Sequence, residues 1–248
     1  LKQICKYMKI KSLLKRNFNH QPRLNYPDYK SSILRAPVRK KISLPSTISE
    51  ICGPVFNCDI IGKYDNDLTL NFSKNKSSPL GHKILIYGTV KDQFSNPIEG
   101  ALVEIWQANA SGKYLHPNDN THAPIDPNFA GCGRYITKPN GSYEFTTIQP
   151  GPYPYPNRGI EWRPMHIHFS IFGRSFGQRL ITQMYFEGDP LIKLCPMVNS
   201  IPDEKAISSL ISTLDTSRSS SKNILAYKFD IILRGINQTY FENKKEGL

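Results

Sequence analysis

Two histidines in the segment WRPMHIHF (162–169) are separated by a single residue within an apolar, strand-like run. Alternate residues of a β-strand project from the same face, so the side chains of His166 and His168 would share one space while Ile167 points away. Imidazole is a common metal ligand, but such pairs also occur where histidines merely line a polar sheet face. The spacing alone leaves both interpretations open.

Two tyrosines lie in turns shaped by Gly and Pro rather than in strand-like runs. Tyr114 falls in ASGKYLHPND (110–119) and Tyr153 in QPGPYPYPNRGIEWRP (149–164). Two imidazoles and two phenolates would form a set of two nitrogen and two oxygen donors, which suits a hard ion such as Fe³⁺ better than Zn²⁺ or Cu⁺. Only a strong Lewis acid would ionise a phenol, whose pKa is about 10, at neutral pH. The chain has 13 tyrosines, and spacing does not select these two.

The segments that must position these side chains show the alternation typical of β-strands. We predict strands at 83–90, 101–107, 133–138, 142–148, 166–172, 179–186 and 225–235. The PNG sequence between the third and fourth predicts a hairpin, and 203–214 is the one convincing helix. The segments 108–132 and 149–165 are expected to be long loops with little regular structure. The fold class is therefore all-β: a β-sandwich core with an extended N-terminal arm and one or two short helices.

The chain of 248 residues divides into three predicted regions. Residues 1–22 form a basic, flexible leader, 23–80 form an arm with loops, and 81–248 form the sandwich domain. The net charge of +12 is concentrated at residues 1–41, which carry +11, and the rest of the chain carries only +1. Because no nucleic-acid-binding signature accompanies this basic segment, we expect it to be solvated or to contact a protein partner rather than nucleic acid.

The sequence also indicates in which cellular compartment the protein is expected. No apolar run approaches the roughly 18 residues that a membrane span needs, and the N-terminal segment lacks the apolar stretch of a secretory signal. We therefore expect a cytoplasmic protein without a membrane partner. The five cysteines are odd in number and lack C-x-x-C spacing, which favours reduced thiols over disulfides or a zinc cluster.

From about residue 23 onward the sequence resembles the intradiol ring-cleavage dioxygenases, and within them the iron-bearing β subunits that act on protocatechuate. The resemblance is carried by long motifs in colinear order: PDYKSSILRAP (27–37), YDNDLTLNF (64–72), DQFSNPIEGALVEIWQANASGKYLHPND (92–119), DPNFAGCGR (126–134), PGPYPYPNR (150–158), EWRPMHIHF (161–169), LITQMYFEGDPL (180–191), YKFDIILRG (227–235) and YFEN (240–243).

The resemblance implies one Fe³⁺ per chain, held by Tyr114, Tyr153, His166 and His168. By position, Tyr153 matches the tyrosinate that substrate displaces and Tyr114 the one that stays. Arg163 matches an arginine that supports negative charge on the activated ring.

Three further pocket assignments come from the same resemblance. Gln183 matches a glutamine that lines the pocket, although a structural hydrogen bond on the sheet face is an alternative. Tyr29 and Arg35 match residues that grip the carboxylate end of the substrate, and a structural or interface ion pair is the alternative for Arg35.

The implied reaction is cleavage of protocatechuate by O₂ between its hydroxyl-bearing carbons, giving 3-carboxy-cis,cis-muconate in the β-ketoadipate pathway of aromatic catabolism. An α subunit of similar fold would complete an αβ assembly. The alternatives are an intradiol enzyme for another catechol and a non-catalytic β-sandwich binding module. One departure bears on substrate choice: the family's PYPWRN reads PYPYPN here, so Tyr155 and Pro156 replace Trp and Arg, and Tyr155 becomes the substrate-facing aromatic.

Overall fold

The architecture is dominated by strands. A computed structural model describes residues 18–39, 58–73, 77–173, 179–220 and 224–233. Within these ranges the strands are β1 (Lys83–Asp92), β2 (Leu102–Gln107), β3 (Cys132–Ile136), β4 (Ser142–Ile148), β5 (Tyr153–Pro156), β6 (Ile160–Arg163), β7 (His166–Phe172), β8 (Arg179–Phe186), β9 (Ile211–Ser220), β10 (Ile224–Lys228) and β11 (Ile231–Leu233). The short helices are α1 (Lys30–Arg35), α2 (Pro196–Asn199) and α3 (Glu204–Ser208), and 3₁₀ turns span Phe18–His20, Cys58–Ile60 and Pro190–Leu194.

Nine of these strands form one sheet that folds over its own core. The order is β11-β1-β10-β9-β8-β7-β2-β3, with β4 also paired to β1, and β5 and β6 form a separate two-stranded sheet. Ring contacts join strands that are not hydrogen-bonded neighbours, as where Phe169 on β7 lies 6.0 Å from Tyr143 on β4 and 5.2 Å from Phe229. The predicted all-β sandwich is confirmed.

The alternation of buried and exposed positions explains why these segments are strands. In β1 the side chains of Ile84, Ile86 and Val90 are fully buried, and the residues at the alternate positions of the strand are more exposed. The same period of two places Phe145 of β4 and Phe169 of β7 in the main core. Each buried aliphatic or aromatic side chain contributes about 1.5–3 kcal/mol relative to exposure, so this single apolar layer fixes which face of each strand points inward.

The hairpin predicted at PNG is wrong in its pairing. A tight turn is present, since Gly141 has φ +75° and its N–H donates to the Lys138 carbonyl. Beyond that turn, however, β3 pairs with β2, and β4 pairs with β1 over seven residue pairs. The two strands therefore diverge after the turn, and each pairs with a strand that is not its neighbour in the chain.

The predicted helix at 203–214 is also wrong over its second half. Helix α3 begins after Asp203, whose side chain accepts from the Lys205 N–H, and it ends at Ser208. From Ile211 the chain continues as β9, which pairs with β8 and β10. The β-branched residues Ile211 and Thr213 favour a strand, and pairing with two other strands outweighs the weak helical periodicity.

A third correction concerns the segment 149–165, which was expected to be a loop but contains the β5–β6 hairpin. Residues 1–17 of the leader and residues 40–57 and 74–76 of the arm lie outside the described residues, and the predicted domain boundaries stay predictions. Among the cysteine side chains whose surroundings the structure describes, Cys132 and Cys195 are free thiols. In the part of the chain that the structure covers, no helix has the length and apolarity required to cross a lipid bilayer.

Close backbone approach makes Gly88 of β1 irreplaceable by a larger residue. A Cβ atom there would lie 1.9 Å from the Phe229 carbonyl oxygen, whereas a Cβ at Gly159 would meet nothing within 4 Å. We predict that Gly88→Ala lowers the free energy of unfolding by about 2–3 kcal/mol, because the overpacked strands must separate. Gly159→Ala, the matched control, should change it by less than about 0.5 kcal/mol. Chemical denaturation measures the free energy of unfolding of both variants, and equal losses of stability in the two would contradict the packing argument.

Candidate metal centre

Strand β7 aims both histidines at the same side of the sheet, and its two neighbours supply the surroundings. His166 lies opposite Tyr185 and His168 opposite Gln183, both on β8. On the other side His168 pairs with Trp106 of β2, and these two rings stack at 4.7 Å with an interplanar angle of 6°. Stacking of this kind restricts rotation of the His168 ring, so its nitrogen lone pair has a fixed direction.

The loops that carry the two tyrosines approach each other backbone to backbone. A Cβ at Gly112 would lie 2.3 Å from the Pro152 carbonyl oxygen, and one at Gly151 would lie 2.5 Å from the Ala110 carbonyl oxygen. Gly112 also has φ +81°, a conformation that favours glycine. The Gly151 N–H donates to the Asn109 carbonyl at 2.9 Å. These glycines therefore let the loops of residues 114 and 153 come into contact.

The four predicted donor side chains converge. Ring centroids of Tyr114 and Tyr153 are 5.6 Å apart, those of His166 and His168 4.9 Å apart, and those of Tyr153 and His166 5.5 Å apart. Tyr114 also lies 6.2 Å from His168 between centroids, and the Tyr153 Oη is 3.5 Å from His166 Nε2. Residues distant in sequence thus form one compact group of two phenols and two imidazoles.

Hydrogen bonding fixes the tautomer of His166. Its Nδ1 lies 2.7 Å from the Pro164 carbonyl oxygen. A carbonyl only accepts, so Nδ1 carries the proton and Nε2 presents its lone pair to the group. Burial, with the charge of Arg163, lowers the pKa of His166 well below its usual value and that of His168 to about 4. Both imidazoles are therefore neutral at physiological pH, which is the form that binds metals.

Both phenols resist ionisation in this environment. Burial raises the pKa of Tyr114 and of Tyr153, and the neighbouring Tyr153 phenol raises that of Tyr114 further. Among the described residues the buried Tyr114 Oη has no hydrogen-bond partner. A buried polar atom without a partner is costly, and a cation beside it would both satisfy the oxygen and favour its phenolate form.

A buried guanidinium stands next to the phenol of Tyr153. Arg163 on β6 pairs with Tyr153 on β5, is only 3% exposed, and has its NH1 3.4 Å from the Tyr153 Oη. Its NH2 donates to the Gln183 Oε1 at 2.6 Å, and the Tyr185 hydroxyl donates to the same oxygen at 2.7 Å. Because Gln183 Oε1 accepts from both donors, it fixes the guanidinium next to the phenol.

The loop that carries Tyr114 is ordered by hydrogen bonds to the carboxylate of Asp119. Asp119 accepts from the Tyr114 N–H at 2.8 Å, from the Lys113 Nζ at 3.2 Å and from the Thr121 hydroxyl at 2.6 Å. Burial disfavours its charged form, but the hydrogen bonds from Thr121 and Tyr114 outweigh it and lower its pKa to about 2. The loop is therefore ordered without help from regular secondary structure.

The three predicted substrate-binding residues lie beside this group, on the arm and on β5. Tyr29 is 9% exposed, and its ring centroid lies 6.2 Å from that of Tyr155. The Arg35 guanidinium carbon lies 5.1 Å from the centre of the Tyr29 ring. Tyr155 shares a strand face with Tyr153, two residues away, and the Arg163 charge acts on its hydroxyl.

The chemistry of the donors defines which metal they fit. Among the residues that the structure describes, no three His, Cys, Asp or Glu side chains form a metal-binding group. A metal here would need the phenol oxygens of Tyr114 and Tyr153 in addition to the two imidazoles. Since those phenols ionise only with difficulty, the group suits a hard, strongly polarising cation such as Fe³⁺.

Three residues of this region escaped the sequence-based prediction. Tyr185 and Trp106 lie opposite the histidines on β8 and β2. Their positions follow from the register of β7 with these two strands, which the sequence alone does not give. Asn157, which is 6% exposed, contacts the arm and carries no recognisable sequence signal.

Comparison with known proteins assigns the chain to a family. Residues 51–235 match the family described as Dioxygenase, and residues 15–47 match protocatechuate 3,4-dioxygenase beta subunit N terminal. The chain is 45% identical over 230 residues to the protocatechuate 3,4-dioxygenase beta chain of Burkholderia cepacia, covering 93% of this chain and 97% of that one.

A more distant sequence relative and a solved structure are also similar to this chain. The protocatechuate 3,4-dioxygenase alpha chain of Pseudomonas putida is 28% identical over 204 residues, covering 80% of this chain and 96% of that one. The crystal structure of 3-chlorocatechol 1,2-dioxygenase from Rhodococcus opacus 1CP superposes with a TM-score of 0.53 at 24% identity, covering 84% and 78% of the two chains, which establishes the fold alone. The chain belongs to the intradiol ring-cleavage dioxygenase family.

Proposed function

We propose that this chain is an intradiol dioxygenase that cleaves protocatechuate with O₂ to 3-carboxy-cis,cis-muconate. The bond between the two hydroxyl-bearing carbons breaks, and each of these carbons receives one oxygen atom from O₂. The observation that carries the proposal is 45% identity across nearly the whole length of a protocatechuate 3,4-dioxygenase beta chain. The convergence of Tyr114, Tyr153, His166 and His168 beside Arg163 supports it, and a binding module would leave that convergence unexplained.

The family depends on iron. In the proposal one Fe³⁺ is held by Tyr114, Tyr153, His166 and His168, and the proximity of their four rings supports this assignment. When bound, such an ion would supply Lewis acidity that favours loss of the protons from both catechol hydroxyls, and the resulting dianion is electron-rich enough to react with O₂.

The protein's own groups handle the proton and the charge. In the phenolate form that a bound cation would favour, the Tyr153 Oη, 3.4 Å from Arg163 NH1, would take a proton from an incoming catechol hydroxyl. The Arg163 guanidinium stabilises negative charge that develops on the ring, and it needs no reorganisation because Gln183 already holds it. Arg163 Nε is buried without a partner among the described residues, so a bound anion would satisfy a donor that is otherwise costly.

The arm closes the side of the pocket in this proposal. The rings of Tyr29 and Tyr155 form an aromatic wall, and Arg35 supplies the positive charge for the substrate carboxylate. Compared with the family's tryptophan, Tyr155 is smaller and adds a hydroxyl, so the wall is more polar here. We further propose an αβ assembly, since the relatives include both beta and alpha chains. The cytoplasmic location and the β-ketoadipate pathway stay predictions.

The purified protein should be coloured. Phenolate donors on Fe³⁺ produce visible charge-transfer absorption, so we expect a wine-red protein whose band shifts when protocatechuate is added without O₂. Ultraviolet–visible spectroscopy and iron analysis measure this directly. A colourless, iron-free protein after expression with ample iron would contradict the proposed function.

Removing one donor oxygen tests its role in metal binding. Tyr114→Phe deletes a hydroxyl that has no protein partner, so stability should be nearly unchanged while visible absorption and turnover fall by roughly a hundredfold or more. Tyr143→Phe is the matched control, because that buried hydroxyl donates to the Phe229 carbonyl far from the donors. The control should lose stability and keep its colour. Full turnover by Tyr114→Phe would refute the ligand assignment.

The contribution of the Arg163 guanidinium to the reaction can be tested separately from iron binding. Arg163→Met keeps the length of the side chain but removes its charge, and we expect kcat to fall by roughly 10²–10³ with iron content and colour retained. Arg134→Met, which breaks the partly exposed ion pair with Asp65, should leave kcat unchanged. Steady-state kinetics with iron quantification decides this. Equal kcat for Arg163→Met and the unmodified protein would show that the charge has no part in the reaction.

A further inference from the structure

Residues 153–157, which form β5 and the residue after it, contact the candidate metal centre at one end and the arm at the other. Tyr153 and Tyr155 are two residues apart on β5, so their side chains project from the same face, and Asn157 follows directly after the end of the strand. Tyr153 reaches the donors, the Tyr155 ring meets Tyr29, and Asn157 meets the backbone on both sides of Tyr29. The arm therefore lies along the very strand that carries the candidate ligand Tyr153.

The Asn157 amide brackets Tyr29. Its Nδ2 donates to the Asp28 carbonyl at 2.6 Å, and its Oδ1 accepts from the Lys30 N–H at 2.8 Å. Only a side chain that both donates and accepts can make this pair of bonds. The Glu161 carboxylate on β6 accepts from the same Nδ2 at 3.1 and 3.2 Å, which fixes the orientation of the amide.

Burial distinguishes this clamp from the ion pair beside it. Asn157 is 6% exposed, and its bonds to the arm are shielded from water. The neighbouring pair of Arg158 and Asp28 joins the same segments, but its side chains are 58% and 54% exposed. Exposed ion pairs contribute little because water competes for both charges, whereas a buried amide left without its partners is costly. The amide therefore dominates the attachment of this part of the arm.

The attachment has a consequence for the pocket wall. Tyr29 lies between the two bracketed backbone groups, so fixing residues 28 and 30 fixes the direction of its ring. The ring centroids of Tyr29 and Tyr155 lie 6.2 Å apart, so the arm and β5 are in contact at this point as well. The Arg35 guanidinium lies over the Tyr29 ring, 5.1 Å from its centre.

We propose that Asn157 is a positioning residue for substrate selection: through Asp28 and Lys30 it holds Tyr29 and Arg35 at the edge of the pocket, where they receive the anionic end of an aromatic acid. The inference rests on the proposed function. Asn157 touches neither the metal donors nor the reacting ring, and it acts only through the arm. The substrate class it favours is a catechol that bears a carboxylate, because Arg35 is the cation that the clamped segment carries.

The test is Asn157→Leu, which keeps the side-chain volume and removes both bonds to the arm. In the full iron-loaded protein, in its native assembly, we expect KM for protocatechuate to rise roughly tenfold with kcat changed less than about twofold. KM for catechol, which lacks the carboxylate, should change less than about twofold. Hydrogen exchange of the segment 27–36, followed by mass spectrometry, should become faster, and the visible spectrum should stay the same.

Arg158→Gln is the matched control, since it breaks only the exposed ion pair and should leave KM, kcat and exchange unaltered. An unchanged KM in Asn157→Leu, an equal rise for catechol, or loss of iron would each overturn the inference. The first would mean that the clamp has no bearing on substrate, the second that it is not selective, and the third that Asn157 serves the fold of the donor loop. Failure of the proposed function is a separate outcome, because the unmodified protein would then turn over neither substrate.

Discussion

The register of β7 between β2 and β8 is the constraint on which the rest of the site depends. A slip of one residue would turn His166 and His168 to the opposite face and bring Ile167 among the tyrosines. The register is held by the apolar face of the same strand, where Ile167, Phe169 and Ile171 are fully buried in the main core. The burial that stabilises the sandwich therefore also aims the imidazoles, and folding and metal binding depend on the same alternation.

Around the histidines the protein buries one positive charge among four side chains that are held in their neutral forms. Arg163 is buried next to two neutral imidazoles, and two phenols are held in an environment that disfavours their ionisation. A trivalent cation would reverse this balance by favouring both phenolates, and the arginine charge would then face an anionic partner. The arrangement is thus poorly satisfied by protein atoms alone, and a bound ion with an anionic substrate would complete it.

Much of the fold could be predicted from sequence because apolar alternation is local. The core strands β1, β2, β4, β7 and β8 were predicted for this reason, and so was the shared face of His166 and His168. The β5–β6 hairpin was missed because Pro154 and Pro156 interrupt the usual strand pattern, although proline is compatible with a strand at the edge of a small sheet. Strand β9 was missed because its first residues also fit a helical period.

The tyrosines and the arm could not be found in this way. Tyr114 and Tyr153 meet only because two loops approach each other at Gly112 and Gly151, a contact between distant segments that no local pattern encodes. Their selection among 13 tyrosines came from resemblance to a family. Asn157 could not be identified in advance, since its role depends on where an arm more than a hundred residues earlier in the chain comes to lie.

The central claim is that two phenols and two imidazoles of this chain hold one iron ion. Anomalous diffraction from crystals of the purified protein, recorded on both sides of the iron absorption edge, tests it most directly. The account predicts a single strong peak per chain, within bonding distance of Tyr114 Oη, Tyr153 Oη, His166 Nε2 and an imidazole nitrogen of His168. An iron peak elsewhere, or none at these four side chains in an active, iron-containing preparation, would contradict it.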